Sequence, residues 1–369
     1  MENFDTDTLK ETLSARRKTV APKGINLAHG QLVKLSYLRP DETLPRVVQP
    51  ALDGVELPAW VRSHRDWIEE ALQEDGGLLF RGFDVKGVDD FDEFIAATGV
   101  ELMQYMESAT PRTELKDKIY TSTEFPPDQT IALHNELTYL NVWPQRIWFF
   151  CVQPAERQGA TPIANVHKVY ERIRPEIREK FIEKGWMLIR NFGAGFGPTW
   201  QYSYHLSTRE EAENYFRRAE IEYEWLGGEQ LRTFQVRPAV ETHPQLGVPL
   251  WFNHIAFWHV SSLEPQLRAL FLKEFEEHEL PFNTFYGDGS SIEDSVIEEL
   301  RQAYDQETVA FPWQAGDVLM LDNMLVAHGR QPYGGPRKIL AAMGQAYTRP
   351  RREQARREEV SIDRMSAGS

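Results

Sequence analysis

The stretch "IALHNELTYLN", residues 131–141, places His134 two residues before Glu136 inside an apolar and aromatic run. On a strand, side chains at i and i+2 point to the same face. Such a pair can supply two ligands to one metal ion. The motif alone carries little weight, because 10 histidines and 56 acidic residues in 369 make roughly one or two His-x-carboxylate matches expected by composition. The second match, His64-Arg65-Asp66, opens a charged segment of helical spacing, where i and i+2 diverge. It reads as a solvated helix start.

A metal site needs a third ligand. The segment "DVLMLDNMLVAHGR" offers His328 after a buried strand and a turn, 192 residues beyond Glu136. Two histidines and one carboxylate on one face form the facial triad of non-haem Fe(II) oxygenases, with positions left for O2 and a bidentate co-substrate. The usual co-substrate, 2-oxoglutarate, needs a cation for its distal carboxylate. Arg337, nine residues past His328, can make that bidentate pair. Thr161 is the candidate hydroxyl donor beside it.

The remaining composition is compatible. Hydrophobic residues are 41% and charged residues 26%, enough for a large core. The net charge of −15 argues against nucleic acid or an anionic membrane as partner. One cysteine, Cys151, excludes an intramolecular disulfide and a Cys-rich zinc site, and points to a reducing cytoplasm. The N-terminal residues show no apolar signal region, and no run of 18 apolar residues suggests a membrane span.

Along the chain, residues 1–50 read as a polar extension, 51–348 as a single domain and 349–369 as a polar, solvated tail. Helices are expected over 65–76 and 89–99, each closed by glycine, and over 167–185 with a break at its proline. Strands are expected at 77–83, 146–154, 159–166 and 186–192, then in "QVRPAVETHP" and "PLWFNHIAF", and three times within 308–348. Residues 193–208 read as a Gly- and aromatic-rich loop, 209–224 and 264–279 as surface helices. Strands on both sides of helical insertions, without a βαβ rhythm, favour a β-core with helices around it.

From about residue 76 to 346 the chain resembles the taurine dioxygenase (TauD/TfdA) family of Fe(II)/2-oxoglutarate dioxygenases. The likeness lies in "GGLLFRGFDVKGVDDFDEF", "LHNELTYLNVWPQRIWFFC", "GATPIANV" and "GDVLMLDNMLVAHGRQPYGGPRKILAAM". It implies a mainly β fold with α, a double-stranded β-helix (jelly roll, clavaminate synthase-like) core flanked by helices. It implies that His134, Glu136 and His328 bind iron, and that Thr161 and Arg337 grip 2-oxoglutarate. It implies hydroxylation of an unactivated C–H bond, driven by O2 and 2-oxoglutarate. Two departures narrow the branch. The carboxylate is Glu136 and not Asp, which resembles clavaminate synthase-like proteins and the syringomycin-type amino-acid hydroxylases of peptide-antibiotic pathways. The position of the family's sulfonate-binding arginine, four residues past Arg337, is Ala341. The expected substrate is therefore an amino acid, free or tethered to a peptidyl carrier protein, and not a sulfonate. Retained Glu136 speaks against halogenation, because related halogenases lack the carboxylate. Desaturation, epoxidation and cyclisation stay open, as does a non-catalytic cupin-like binding protein.

Several residues keep two readings. His254, His259 and Asn253 either touch substrate or sit in an aromatic core. Arg330, two past His328, either pairs with a substrate carboxylate or holds Glu136. Cys151 reads as a small buried hydrophobe, and Asp322 and Asn323 as the turn before His328. An acidic chain docks an acidic carrier only through a local basic patch, for which Arg209, Arg217 and Arg218 are candidates.

Overall fold

The computed structural model describes residues 32–40, 42–104, 107, 113–122, 125–193 and 197–350. Residues 1–31 of the expected extension, 351–369 of the expected tail 349–369 and part of the expected 193–208 loop lie outside the described residues. Arg349, at the start of that tail, is not solvated but pairs with Glu241 at 2.8 Å. The core is a sandwich. Its larger sheet has eight strands in the order Val33–Tyr37, Arg46–Pro50, Gly77–Phe80, Val318–Asp322, Val142–Gln153, Lys338–Thr348, Ile119–Thr121 and Glu114–Lys116. Facing it is a three-stranded sheet of Ile131–His134, Val326–Arg330 and Ile163–Asn165. This is the jelly-roll arrangement expected from the sequence.

Alternation along the strands sorts the side chains of the large sheet into two cores. Leu79, Phe149, Cys151, Leu319, Leu321, Ile339 and Ala341 face the small sheet and share a cluster with Ile163, Ala164, Val326 and Ala327. Leu78, Phe80, Trp148, Phe150, Val318, Met320, Leu340 and Ala342 face the other way. They pack against the helices Leu57–Ser63, Arg65–Asp75 and Val88–Thr98. A sheet covered on both faces reads as continuous apolar runs, which is why "RIWFFCV" showed no polar alternation. Gly76 and Gly99 end their helices at φ 79° and 79°, the left-handed cap that glycine adopts at no steric cost. Pro175 separates Val166–Arg172 from Pro175–Lys184 as expected.

Four segments differ from their sequence reading. Val33–Tyr37 and Arg46–Pro50, placed in the polar extension, are strands on the edge of the large sheet, where an exposed outer face tolerates polar side chains. The helix from Arg209 stops at Ala219, where Glu220 turns left-handed (φ 55°), and Glu222–Gly227 continues as a strand. Within 193–208, Thr199 caps a short helix, Trp200–Tyr204. In "PLWFNHIAF" the strand ends at Trp251, because the Asn253 side chain accepts from the Ile255 amide and starts the helix Ile255–Trp258. A further sheet, in the order Glu222–Gly227, Gln230–Arg237, Trp186–Phe192 and Phe282–Tyr286, covers that helix. Among the described residues, no helix is long and apolar enough to cross a membrane.

Candidate active site

The two expected histidines are brought together by strand pairing. In the small sheet, His134 lies directly opposite His328, with ring centroids 4.6 Å apart. Glu136 arrives differently from the sequence reading. The strand ends at His134, so i, i+2 alternation does not aim the carboxylate. Leu137 instead adopts a left-handed conformation (φ 61°), and the chain turns around Asn323. The Asn323 side chain accepts from the Glu136 amide at 2.7 Å and donates to the Glu136 carbonyl at 3.0 Å and the Pro144 carbonyl at 2.8 Å. The Asn323 carbonyl accepts from the Asn135 side chain at 2.6 Å. The residue read as part of a turn is therefore also the clamp that presents Glu136. The reciprocal amide contacts join positions 187 residues apart, which no local signal reveals.

One ligand atom each from His134, Glu136 and His328 lies within 4.8 Å of the others. Glu136 Oε2 is 3.9 Å from His328 Nε2. The His134 Nδ1–H donates to the Ala132 carbonyl at 2.9 Å, which fixes the orientation of the ring. Two imidazoles and a carboxylate, all nearly buried, make a donor set that fits Fe(II).

His134 and His328 line a pocket of about 410 Å³, counting its mouth and the open solvent there, with Phe149, Ile131 and Ile339 on its apolar sides. Arg337 and Thr161 line it together, as the sequence suggested. The Arg337 guanidinium donates to the Gly159 carbonyl at 3.0 Å and reaches the Thr161 hydroxyl at 3.4 Å. Burial, with the neighbouring Arg330 charge adding to it, pulls the Arg337 value down to about 10, and it stays charged at neutral pH. The Tyr333 ring is near both guanidiniums, 5.2 Å from that of Arg330 and 5.4 Å from that of Arg337. Neither arginine forms an ion pair with an acidic side chain among the described residues. The pocket is electropositive and suits a dianion.

The remaining candidates divide. Arg330 lines the pocket, but its guanidinium donates to the carbonyls of Phe125, Pro126 and Gln129. It neither holds Glu136 nor presents a free fork to a substrate, but pins the segment 125–129. Asn253 is spent on structure, its amide donating to the Ala239 carbonyl at 2.8 Å and its oxygen capping Ile255. His254 is bonded to the Thr138 hydroxyl at 2.6 Å and packs 5.5 Å from the His134 ring. Burial, and then the proximity of His134, push the His254 value well below the usual imidazole range, so it is neutral. It supports a ligand ring and does not line the pocket described above. His259 bonds Ser261 and caps a short 3-10 turn. Buried Cys151 behaves as expected.

These features agree with comparisons to known proteins. A family model described as "Taurine catabolism dioxygenase TauD, TfdA family" matches residues 40–343. The dapdiamide synthesis protein DdaC of Enterobacter agglomerans is 38% identical over 276 residues, which cover 75% of this chain and 84% of that protein. A clavaminate synthase-like protein of Arabidopsis thaliana is 28% identical over 322 residues, 81% of this chain and 93% of that one. The solved structure of PvcB from Pseudomonas aeruginosa shares the fold, with a TM-score of 0.52 at 18% identity over 87% of this chain and 95% of PvcB. With the family match covering most of the jelly roll and all three triad residues, this chain belongs to the TauD/TfdA family and is an Fe(II)- and 2-oxoglutarate-dependent dioxygenase.

Proposed function

We propose that the protein oxidises an unactivated C–H bond of an amino-acid substrate, free or tethered to a carrier protein, in a natural-product pathway. The observation that carries the reading is the His134–Glu136–His328 cluster, whose two histidines line one pocket with Arg337 and Thr161. When bound, the ferrous ion and 2-oxoglutarate supply activation of O2, with substrate–H, O2 and 2-oxoglutarate giving substrate–OH, succinate and CO2. The chain's own residues do the rest. His134, Glu136 and His328 would hold the metal beside the pocket. Arg337 and Thr161 fix the distal carboxylate of the co-substrate by charge-assisted hydrogen bonds. Phe149, Ile131 and Ile339 keep water from its methylene carbons.

Two features support the substrate class. Ala341 lines the pocket where a sulfonate-binding member carries a cation, so a sulfonate lacks its partner. DdaC is named for the synthesis of dapdiamide. A carrier would meet Arg209, Arg217 and Arg218 on the helix Arg209–Ala219. They share that helix with Glu210, Glu211 and Glu213, so the basic patch there is weak.

The test is a panel of free and carrier-loaded amino acids, with taurine as control. The readouts are succinate release and perturbation of the Fe(II)–2-oxoglutarate charge-transfer absorption under anaerobic conditions. An oxygenated amino acid (+16 mass units) is expected, absent in a His328→Ala variant that no longer binds iron. Sulfite release from taurine without any amino-acid product rejects the substrate class.

A further inference from the structure

Trp313 stands behind the Arg337–Thr161 end of the pocket, with 7% of its surface exposed. Its place is set by two constraints. Val309 and Ile163 exchange backbone hydrogen bonds of 2.9 and 2.8 Å, which lays the segment after Val309 beside Thr161. Asp317, held by Arg81, accepts from the Gln314 amide at 2.8 Å, and Arg81 also donates to the Pro312 carbonyl at 3.0 Å. Between these anchors the indole Nε1–H donates to the Thr161 hydroxyl oxygen at 3.1 Å.

A threonine hydroxyl has one hydrogen to give and two lone pairs to accept with. An indole N–H and a guanidinium can only donate. Trp313 at 3.1 Å occupies one lone pair of Thr161 and Arg337 at 3.4 Å occupies the other. The hydroxyl hydrogen is left to be donated, and Thr161 lines the pocket. We propose that Trp313 is a positioning residue that fixes Thr161 as a donor. Thr161 and Arg337 then offer only N–H and O–H groups to a ligand, which selects a fully ionised carboxylate. An amide in the same place puts its NH2 against donors. The inference rests on reading this end of the pocket as the 2-oxoglutarate site.

The test titrates 2-oxoglutarate, and separately its C5 amide 2-oxoglutaramate, into the full-length protein loaded with redox-inert Mn(II). The variants are Trp313→Phe, Thr161→Val, Thr161→Ser and the Trp313→Phe/Thr161→Val pair. Loss of one oriented hydrogen bond is expected to weaken 2-oxoglutarate about 5- to 10-fold in Trp313→Phe and to narrow its preference over the amide by a similar factor. In turnover the KM for 2-oxoglutarate rises while kcat holds. Thr161→Ser, which keeps a hydroxyl, loses less affinity than Thr161→Val. In the Thr161→Val background, Trp313→Phe has little further effect, because there is no hydroxyl left to orient. Trp313→Tyr replaces Trp313→Phe if the latter does not fold. An equal loss from Trp313→Phe with and without the Thr161 hydroxyl assigns Trp313 to packing and overturns the inference alone, as does unchanged affinity. Failure of the Mn(II)-loaded wild type to bind 2-oxoglutarate overturns the reading of the site and the inference with it.

Discussion

At the residue scale, the pocket depends on a few charges and amides with no slack around them. Arg337 forms no ion pair with an acidic side chain among the described residues and lines the pocket, which suits it to an incoming carboxylate. Replacing it with Ala removes a charge-assisted pair worth on the order of 2–5 kcal/mol. The KM for 2-oxoglutarate should rise tens- to thousands-fold while iron affinity is retained, and steady-state kinetics with an iron titration check both. An unchanged KM moves the carboxylate site elsewhere. Asn323 acts one step back from the metal. Asn323→Asp keeps an acceptor for the Glu136 amide but loses both donations to carbonyls. Metal affinity should fall about 10- to 100-fold, as for other groups that orient a ligand. A competition titration against a chelator measures it, and affinity equal to wild type removes Asn323 from that role.

At the scale of elements, the distance between two strands is what makes the site. Ile131–His134 and Val326–Arg330 pair across a β-bulge between His328 and Arg330. Gly329 sits at that irregularity. A Cβ there would lie 2.6 Å from the Ile131 carbonyl oxygen, a backbone atom that cannot swing away. Gly329→Ala should therefore push the two ligand-bearing strands apart at a cost of about 1–3 kcal/mol. The expected signature is weakened iron binding together with a lowered Tm. A variant with wild-type metal affinity shows that the strands tolerate the shift. Glycine beside a metal-binding histidine was visible in "AHGR", but its reason was not, since the close approach involves a strand about 200 residues earlier.

At the scale of the whole molecule, a buried charge network links the large sheet to the helix Arg65–Asp75 and to His243. Asp322 bonds Arg146 at 2.7 Å and lies 3.4 Å from His243, while Arg146 also pairs with Glu69 of the helix Arg65–Asp75. Burial by itself raises the Asp322 value, but the Arg146 charge and His243 outweigh it and hold the carboxyl below the usual range. A depressed carboxyl contributes stability that is present above its unfolded value, about 3.9, and is lost as pH falls through the folded one. Asp322→Asn should cost about 3–5 kcal/mol at neutral pH, because it leaves Arg146 buried and only half paired. The gap to wild type should shrink as pH drops below about 4, read by denaturant unfolding across the acid range. A gap that is constant with pH detaches Asp322 from this role. The sequence by itself determined the β-core and singled out His134, Glu136 and His328 as candidate ligands and Thr161 and Arg337 as the candidate carboxylate pair. Each of these is a residue type whose chemistry has few other uses in a buried apolar run. Only the tertiary structure decided how Glu136 is aimed, that Arg330 and Asn253 are spent on backbone carbonyls and caps, and that Trp313 stands against Thr161. Hydrogen-bond capacity is spent on partners far away in the chain, and the sequence names the donors and acceptors without saying which ones meet.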